Sequence, residues 1–398
     1  MESLITVSYL LDKDPVGFTF LDQERSVLSL STSLRFVNMQ PLQNGVKIET
    51  SGGTLSLTQV NRQFQFRWEG EAVANKIKLE GAWFGLGELV NQAWDLSKVS
   101  LPLSEVLTSD SGATGYSNLM TPAFISQHGA LVVVRSPFQL GINQQPHTDS
   151  PPAEYVFGEE IPFNQRPVLD HRGRGDGYLT LVGDDLVFDL FIMPDALEAH
   201  RTLVREVGHP QKPPPLELFG APVWTTWAQY KDEIDQATVL DFAHQIVDSG
   251  FPHHVLEIDD RWQTQYGDFA FDPQRFPDAK GMVDRLHELG FKVTTWVIPF
   301  LHPDSKAGRK AAEKRYVVQK PDGTPYLVRW WQGQAYLIDV TNPHAMAWFG
   351  MQLHHLQEQT GVDGFKFDGG EATFLPGDAL LHQPGDSRNQ YSCLLYTS

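Results

Sequence analysis

Two short strand-like runs in the second half of the chain end in acids. Val255 to Ile258 stops at Asp259-Asp260, and Gly364 to Phe367 stops at Asp368, followed by Gly369-Gly370-Glu371. Trp227 closes an earlier apolar run, and Trp296 lies in a further one. Carboxylates accept hydrogen bonds from hydroxyls, and indole rings pack on the apolar face of a pyranose. Acids and flat aromatics converging at one mouth are what a sugar site needs. Alternation along a strand places Lys366 and Asp368 on the same face. A lysine beside a carboxylate favours the charged form that a nucleophile requires.

Each residue also has a plainer reading. A strand-ending Asp often caps the next helix, and Glu371, three residues after Asp368, completes a capping-box spacing. Asp259-Asp260 fits a solvated turn, and Trp227 and Trp296 fit core aromatics. Lys366 stands between two phenylalanines, and a buried lysine needs a partner. Gly85-Leu86-Gly87 and Gly173-Arg174-Gly175-Asp176-Gly177 lack the strand-loop-helix setting of a phosphate loop and read as turns. His253-His254 and His354-His355 are adjacent pairs, which share no face of a strand or helix, so they make no metal site. No Ser-centred nucleophile elbow is present.

The elements that must position these residues fall into two kinds. In the first half, Phe64, Phe66 and Trp68 alternate with polar residues, the period of a half-buried strand. Ser51-Gly52-Gly53 reads as a hairpin turn, and Ala130–Val134 and Leu186–Phe191 read as further strands. The spacing predicts a β-sandwich over residues 1–208. Successive prolines, Pro213-Pro214-Pro215, then mark a linker over 209–219. Beyond it the pattern turns to strand-helix alternation. Pro222–Trp227 is a first strand, and Val239, Phe242, Ile246 and Val247 mark a helix ending near Gly250. Val255–Ile258 is a second strand. Met282, Leu286 and Leu289 are helical before Gly290, and Lys292–Ile298 is a third strand. Asn342-Pro343 opens a helix that buries Met346, Phe349, Leu353 and Leu356. Gly364–Phe367 is a fourth strand. With no hairpin signal this predicts a parallel sheet, with a (β/α)8 barrel as the leading form and residues 300–340 as an excursion on its catalytic face.

Bulk properties narrow the function. The chain has 398 residues, with 31 Lys and Arg against 49 Asp and Glu, a net charge of -18. That balance excludes nucleic acid as the expected partner, since phosphates need a basic footprint, and suits a neutral ligand. Cys393 is the one cysteine, which excludes an internal disulfide and a cysteine-rich zinc site. The N-terminal sequence lacks a basic region followed by a long apolar one, no apolar run reaches membrane-span length, and there is no Asn-x-Ser/Thr sequon. These features favour the cytoplasm; the oligomeric state is open.

Several segments resemble glycoside hydrolase family 31. They are Trp224–Trp227, Leu256–Trp262, Gly267-Asp268-Phe269 with Arg275–Asp278, Thr295–Pro299, Arg329-Trp330-Trp331 with Asp339–Pro343, and Phe365–Glu371, in family order. The forms Glu257-Ile258-Asp259-Asp260, Val328–Trp331 and Phe365–Asp368 with Gly370-Glu371 are similar to the myogenesis-regulating glycosidase branch. The resemblance implies a β-sandwich, a (β/α)8 barrel and a C-terminal β region. It implies retaining hydrolysis of a terminal α-glycoside in an oligosaccharide or glycoconjugate, without metal or organic cofactor. It assigns Asp368 as nucleophile and Asp259 and Asp260 as sugar ligands. Lys366 flanks the nucleophile, and Trp227, Trp296 and Trp331 wall the pocket. Through the branch it also implies α-galactoside in preference to α-glucoside.

One departure stands out. The family's acid/base Asp lies well downstream of the nucleophile, and neither Asp378 nor Asp386 matches its motif. A complete barrel takes about 250 residues, so residues 220–391 are expected to form its N-terminal half, truncated after about the fourth strand. Residues 392–398 read as a non-native tail. The chain is accordingly expected to be an inactive fragment of an α-glycosidase. The alternatives are a non-catalytic carbohydrate-binding protein of the same lineage, and an unrelated barrel holding a divalent metal through Asp259, Asp368 and Glu371.

Overall fold

The structure, a computed structural model, describes residues 5–11, 16–22, 25–89, 95–106, 108, 116–144, 175–208 and 212–383. Residues 209–211 of the expected linker, Gly173-Arg174 and the tail 392–398 with Cys393 fall outside them. The described residues form two compact units, one ending at Gly208 and the other starting at Lys212.

The first unit is a large antiparallel sheet. Phe64, Phe66 and Trp68 are all 1% exposed or less, as their alternation requires. Their strand, Gln63–Lys78, runs antiparallel along Tyr178–Ile192 from Gln63 opposite Phe191 to Lys78 opposite Tyr178. Gly53–Val60 pairs with the first half of Gln63–Lys78, and Arg25–Thr32 with the second. Among the described residues the hydrogen bonding joins thirteen strands into one antiparallel sheet, because these two long strands run through both halves of it. Phe20, Ile48, Leu55, Phe66, Leu140 and Phe188 share one core on its inner face. The helix Ala196–Val207 packs Ala199 on the other face with Leu131, Val133 and Phe191. Ser51-Gly52 turns the chain between Gly45–Thr50 and Gly53–Val60, as read from sequence. Gly85-Leu86-Gly87 is not a turn. It lies inside the strand Trp83–Leu89, where positive φ at all three residues accompanies a register shift against Tyr116–Ser126.

The second unit is built on four parallel strands paired in chain order: Val223–Thr225, Val255–Ile258, Lys292–Val297 and Gly364–Phe367. The helices between them are Gln236–Asp248, Ala279–Glu288 and Pro343–Thr360. Each is capped by a side-chain oxygen: Asp235 accepts from Thr238 N–H at 2.7 Å, Asp278 from Gly281 N–H at 2.9 Å and Asn342 from His344 N–H at 3.0 Å. Gly250, Gly290 and Gly361 follow their C-termini with φ of 70°, 91° and 84°. The first strand is shorter than expected, because Thr226 turns helical and Trp227 opens the short helix Trp227–Tyr230.

Residues 300–340 hold a helix, Lys306–Glu313, and a small antiparallel sheet of Phe300–Leu301, Leu327–Trp330 and Gly333–Leu337. The last two strands form a hairpin that the sequence did not announce. Trp330 faces Gly333 across the two-residue turn Trp331-Gln332, with Gly333 at φ 107°. Among the described residues there is no closed barrel. Val223–Thr225 and Gly364–Phe367 each have one neighbour in the parallel sheet, whereas closure needs two for every strand. No described helix is long and apolar enough to cross a membrane.

Candidate active site

The parallel register decides which side chains meet. Thr225 lies beside Glu257, Glu257 beside Thr294, and Trp296 beside Lys366. With a period of two, Glu257, Trp296, Lys366 and the strand-ending Asp259 and Asp368 take one face. Leu256, Ile258, Val293 and Val297 take the other and sit in the apolar core. One side of the sheet is therefore a polar row and the other is packed against the helices.

Asp368 continues its strand by one backbone bond, its N–H donating to Val297 C=O at 2.9 Å. The indole Nε1–H of Trp296 donates to Asp368 Oδ2 at 2.7 Å. Gly369 N–H donates to Oδ1 at 2.9 Å. Both carboxylate oxygens are thus oriented, and 38% of the side chain stays exposed. No helix begins at Gly369. The next helical turn is Ala372–Phe374, whose cap position, Glu371, makes no side-chain bond to it. Asp368 is therefore not a helix cap.

Lys366 Nζ lies 2.6 Å from Asp259 Oδ2 and 3.9 Å from Asp368 Oδ2. It bonds Asp259 and only approaches Asp368. Its side chain is 43% exposed, because it stands on the polar face rather than among the neighbouring phenylalanines. Burial acts to lower its pKa. The hydrogen bond and charge of Asp259, with Glu257 and Asp368 behind, outweigh that and raise it.

Asp259 is 3% exposed; its N–H donates to Thr226 Oγ1 at 3.0 Å, and its Oδ1 accepts from Asp260 N–H at 2.7 Å. Asp260 is 2% exposed and receives the Tyr266 hydroxyl at 3.1 Å. Burial, with the charge of Asp259, pushes the Asp260 carboxyl up to about 6 despite that hydrogen bond. Glu257, also buried, accepts from Thr225 Oγ1. Burial first and the Asp259 charge second push Glu257 up to about 8.

Aromatic packing fixes the indoles. Trp262 Nε1–H donates to Trp296 C=O at 2.7 Å. Tyr266 meets Trp296 and Trp330 edge-on at 6.2 and 5.0 Å between centroids. Phe300 stacks on Trp330 at 4.8 Å and meets Trp331 at 5.9 Å. At Gly369, a Cβ would come 2.7 Å from Phe300 and 3.1 Å from Trp331, so the hairpin turn delivers Trp331 against the residue next to Asp368.

The structure thus brings Asp259, Lys366, Trp296, Asp368 and Trp331 together. Trp227 is 39% exposed with Lys231 over its ring at 4.8 Å; its backbone N–H donates to Thr225 Oγ1 at 3.2 Å, and no hydrogen bond or ring contact among the described residues joins its indole to the others. Asp260 sits behind the cluster with Tyr266. Sequence reasoning gave no role to Glu257, Tyr266 or Phe300. Glu257 had a signal, an acid inside an apolar strand in phase with Asp259; Tyr266 and Phe300 had none. Among the described residues no group of three or more His, Cys, Asp or Glu side chains is placed to hold a metal ion, Asp259, Asp368 and Glu371 included.

Comparison with known proteins bears on this site. Residues 211–394 match the "Glycosyl hydrolases family 31 TIM-barrel domain", and residues 11–208 match the "Myogenesis-regulating glycosidase N-terminal domain". The chain is 33% identical to the Mus musculus "Myogenesis-regulating glycosidase", over 81% of its own length and 45% of that protein. It is 31% identical to "Alpha-xylosidase XylQ" of Lactiplantibacillus pentosus, over 45% of its length and 23% of that protein. The chain spans less than half the length of these relatives. Among solved structures it resembles a family 31 sulfoquinovosidase from E. rectale, with a TM-score of 0.68 at 16% identity, covering 97% of this chain and 56% of that one. The chain belongs to glycoside hydrolase family 31, and its first half carries the N-terminal domain of the family's myogenesis-regulating branch.

Proposed function

We propose that the protein acts on terminal α-linked sugars by retaining hydrolysis, with Asp368 as the nucleophile. The supporting observation is the placement of its carboxylate. It stands at the end of a parallel strand, held by Trp296 and Gly369, near the Lys366 ammonium and partly open to solvent. Attack of Asp368 Oδ on the anomeric carbon forms a glycosyl ester as the bond to the leaving oxygen breaks. Asp259 and Lys366 bind sugar hydroxyls, Trp296 and Trp331 wall the ring, and Asp260 and Trp227 contribute from farther out. No metal or organic cofactor enters this scheme.

Retaining hydrolysis also needs a second carboxylate to protonate the leaving group and then activate water. We assign that role to no residue of this chain and expect no turnover from the chain alone. Its residues 220–391 correspond to the first half of a barrel in this reading. The sugar we favour is a terminal α-galactoside over an α-glucoside. This rests on Glu257–Asp260, Arg329-Trp330-Trp331 and the match to the myogenesis-regulating glycosidase.

The test separates attack from protonation. A fluoroglycosyl fluoride carries a leaving group that needs no proton, so it reports the nucleophile alone. Incubated with the chain, galactosyl and glucosyl versions are expected to label the peptide containing Asp368, the galactosyl one faster, and Asp368→Asn is expected to abolish labelling. A label on another carboxylate, retained by Asp368→Asn, overturns the nucleophile. Saturable sugar binding without any label favours the non-catalytic carbohydrate-binding reading.

A further inference from the structure

We infer that Glu257 is a positioning residue held as a neutral acid, which donates its proton to Asp259 and so fixes the Asp259–Lys366 pair beside the nucleophile. The inference rests on the assignment of Asp368 above, and it concerns a residue that does not itself reach the sugar.

The geometry starts with a deficit of protons. Glu257 is 3% exposed and in phase with Asp259 along one strand. Thr225 Oγ1 donates to Glu257 Oε2, while Oε1 has no hydrogen-bond partner among the described residues. Glu257 and Asp259 stand two residues apart on the same face of one chain segment, so their carboxyl groups are neighbours. Two carboxylates are both acceptors and repel; one shared proton converts the contact into an O–H···O⁻ hydrogen bond, among the stronger kinds. A proton on Oε1 supplies the missing donor and removes an unpaired charge from a buried site.

The groups facing Glu257 fix which acid keeps the proton. From the first strand comes Thr225, a neutral donor, and from the third comes Thr294, neutral as well. Asp259 shares its strand, and Lys366 and Asp368 arrive from the fourth. Lys366 Nζ bonds Asp259 at 2.6 Å, so Asp259 carries the negative charge and Glu257 the proton. The row then reads Thr225 to Glu257 to Asp259, with Lys366 closing on Asp259 from the other side. Rotation of Asp259 breaks two bonds at once. Ionising Glu257 places a second negative charge against Asp259, pulls Lys366 from its place and disturbs the carboxylate that holds the sugar.

Two measurements test this. In the wild-type chain with carboxyl-13C-labelled glutamate, one resonance is expected to titrate near pH 8 and to be missing from Glu257→Gln. If every glutamate titrates in the ordinary carboxylate range, the inference falls, whatever happens at Asp368. The second readout is the rate of labelling by the fluoroglycosyl fluoride against pH. The wild type is expected to lose about tenfold per pH unit once Glu257 ionises. Glu257→Gln, which keeps a donor and cannot ionise, is expected to label within about threefold of wild type at pH 6 and to lack that alkaline fall. Glu257→Ala labels slowly at every pH. An unchanged alkaline fall in Glu257→Gln overturns the positioning role. A label on a peptide other than that of Asp368 overturns instead the assignment on which it rests.

Discussion

At the residue scale, the site works by giving each acid a different neighbour. Asp368 has an indole and a backbone N–H, Asp259 a lysine, Asp260 a tyrosine, and Glu257 a threonine. Trp296→Phe keeps the ring volume near the sheet but deletes the bond to Asp368 Oδ2. A hydrogen bond to a charged group contributes about 1.5–3 kcal/mol, so the labelling rate is expected to fall about 10- to 100-fold with far-ultraviolet circular dichroism unchanged. A rate within a factor of about two of wild type would remove Trp296 from the support of the proposed nucleophile. The raised Glu257 value also sets a sign for stability. The folded state holds the proton up to about pH 8, whereas the unfolded chain releases it near 4.5. The contribution is therefore complete below about pH 4.5 and lost as pH rises to about 8. Denaturant midpoints taken at pH 5 and pH 8 are expected to fall more in wild type than in Glu257→Gln; equal falls count against the buried proton. Asp368, Lys366 and Trp296 could be picked out because each ends or punctuates an apolar run, whereas Trp331 came only from the family resemblance. The exchange of partners was not, since Lys366 turned out to bond Asp259, a residue 107 positions earlier, more closely than its near neighbour.

At the element scale, the site depends on strand ends and turns. Several helix boundaries were readable, because Asn342-Pro343, Gly250 and Gly290 act through local geometry. The hairpin carrying Trp331 was hidden, because its turn is Trp-Gln rather than the usual Asn-Gly or Asp-Gly. What holds that turn in place lies elsewhere in the sequence, on Phe300 and Phe374. The N-terminal sheet shows the same limit. Alternation revealed Phe64, Phe66 and Trp68, but nothing local told that their strand continues to Lys78 and joins both halves. Gly369 tests how far the turn matters. It has φ 73°, and a methyl group there runs into Phe300 and Trp331. Gly369→Ala is expected to displace the Trp331 wall and the N–H that holds Asp368. A left-handed residue with a Cβ costs roughly 1–2 kcal/mol, so a modest drop in denaturation midpoint should accompany a loss of labelling of about tenfold or more. Stability lost with the labelling rate intact would show that Trp331 is not part of the pocket wall.

At the scale of the whole molecule, two units each have a core of their own. The antiparallel sheet closes on Phe20, Phe66 and Phe188, while Leu256, Val293 and Leu356 belong to the core of the parallel sheet and its helices. The sequence announced this division through the proline-rich stretch and the change from period-two to strand-helix patterning. What local pattern could not show was the strand order within each sheet, because it depends on pairings between residues far apart in sequence. Two cores in one chain do not oblige unfolding to be all-or-none. The tryptophans make the difference observable. Of 10 in the chain, only Trp68, Trp83 and Trp94 precede Gly208, whereas Trp224, Trp227, Trp262, Trp296, Trp330, Trp331 and Trp348 follow it. Tryptophan fluorescence therefore reports mainly the parallel unit, and far-ultraviolet circular dichroism reports both. The two transitions in urea are expected not to coincide. A sugar analogue bound at the Asp368 site stabilises only the state that binds it, in proportion to its concentration over Kd. It should therefore move the fluorescence midpoint to higher urea more than the dichroism midpoint. Coincident transitions shifted equally by the analogue would show instead that the two units unfold as one.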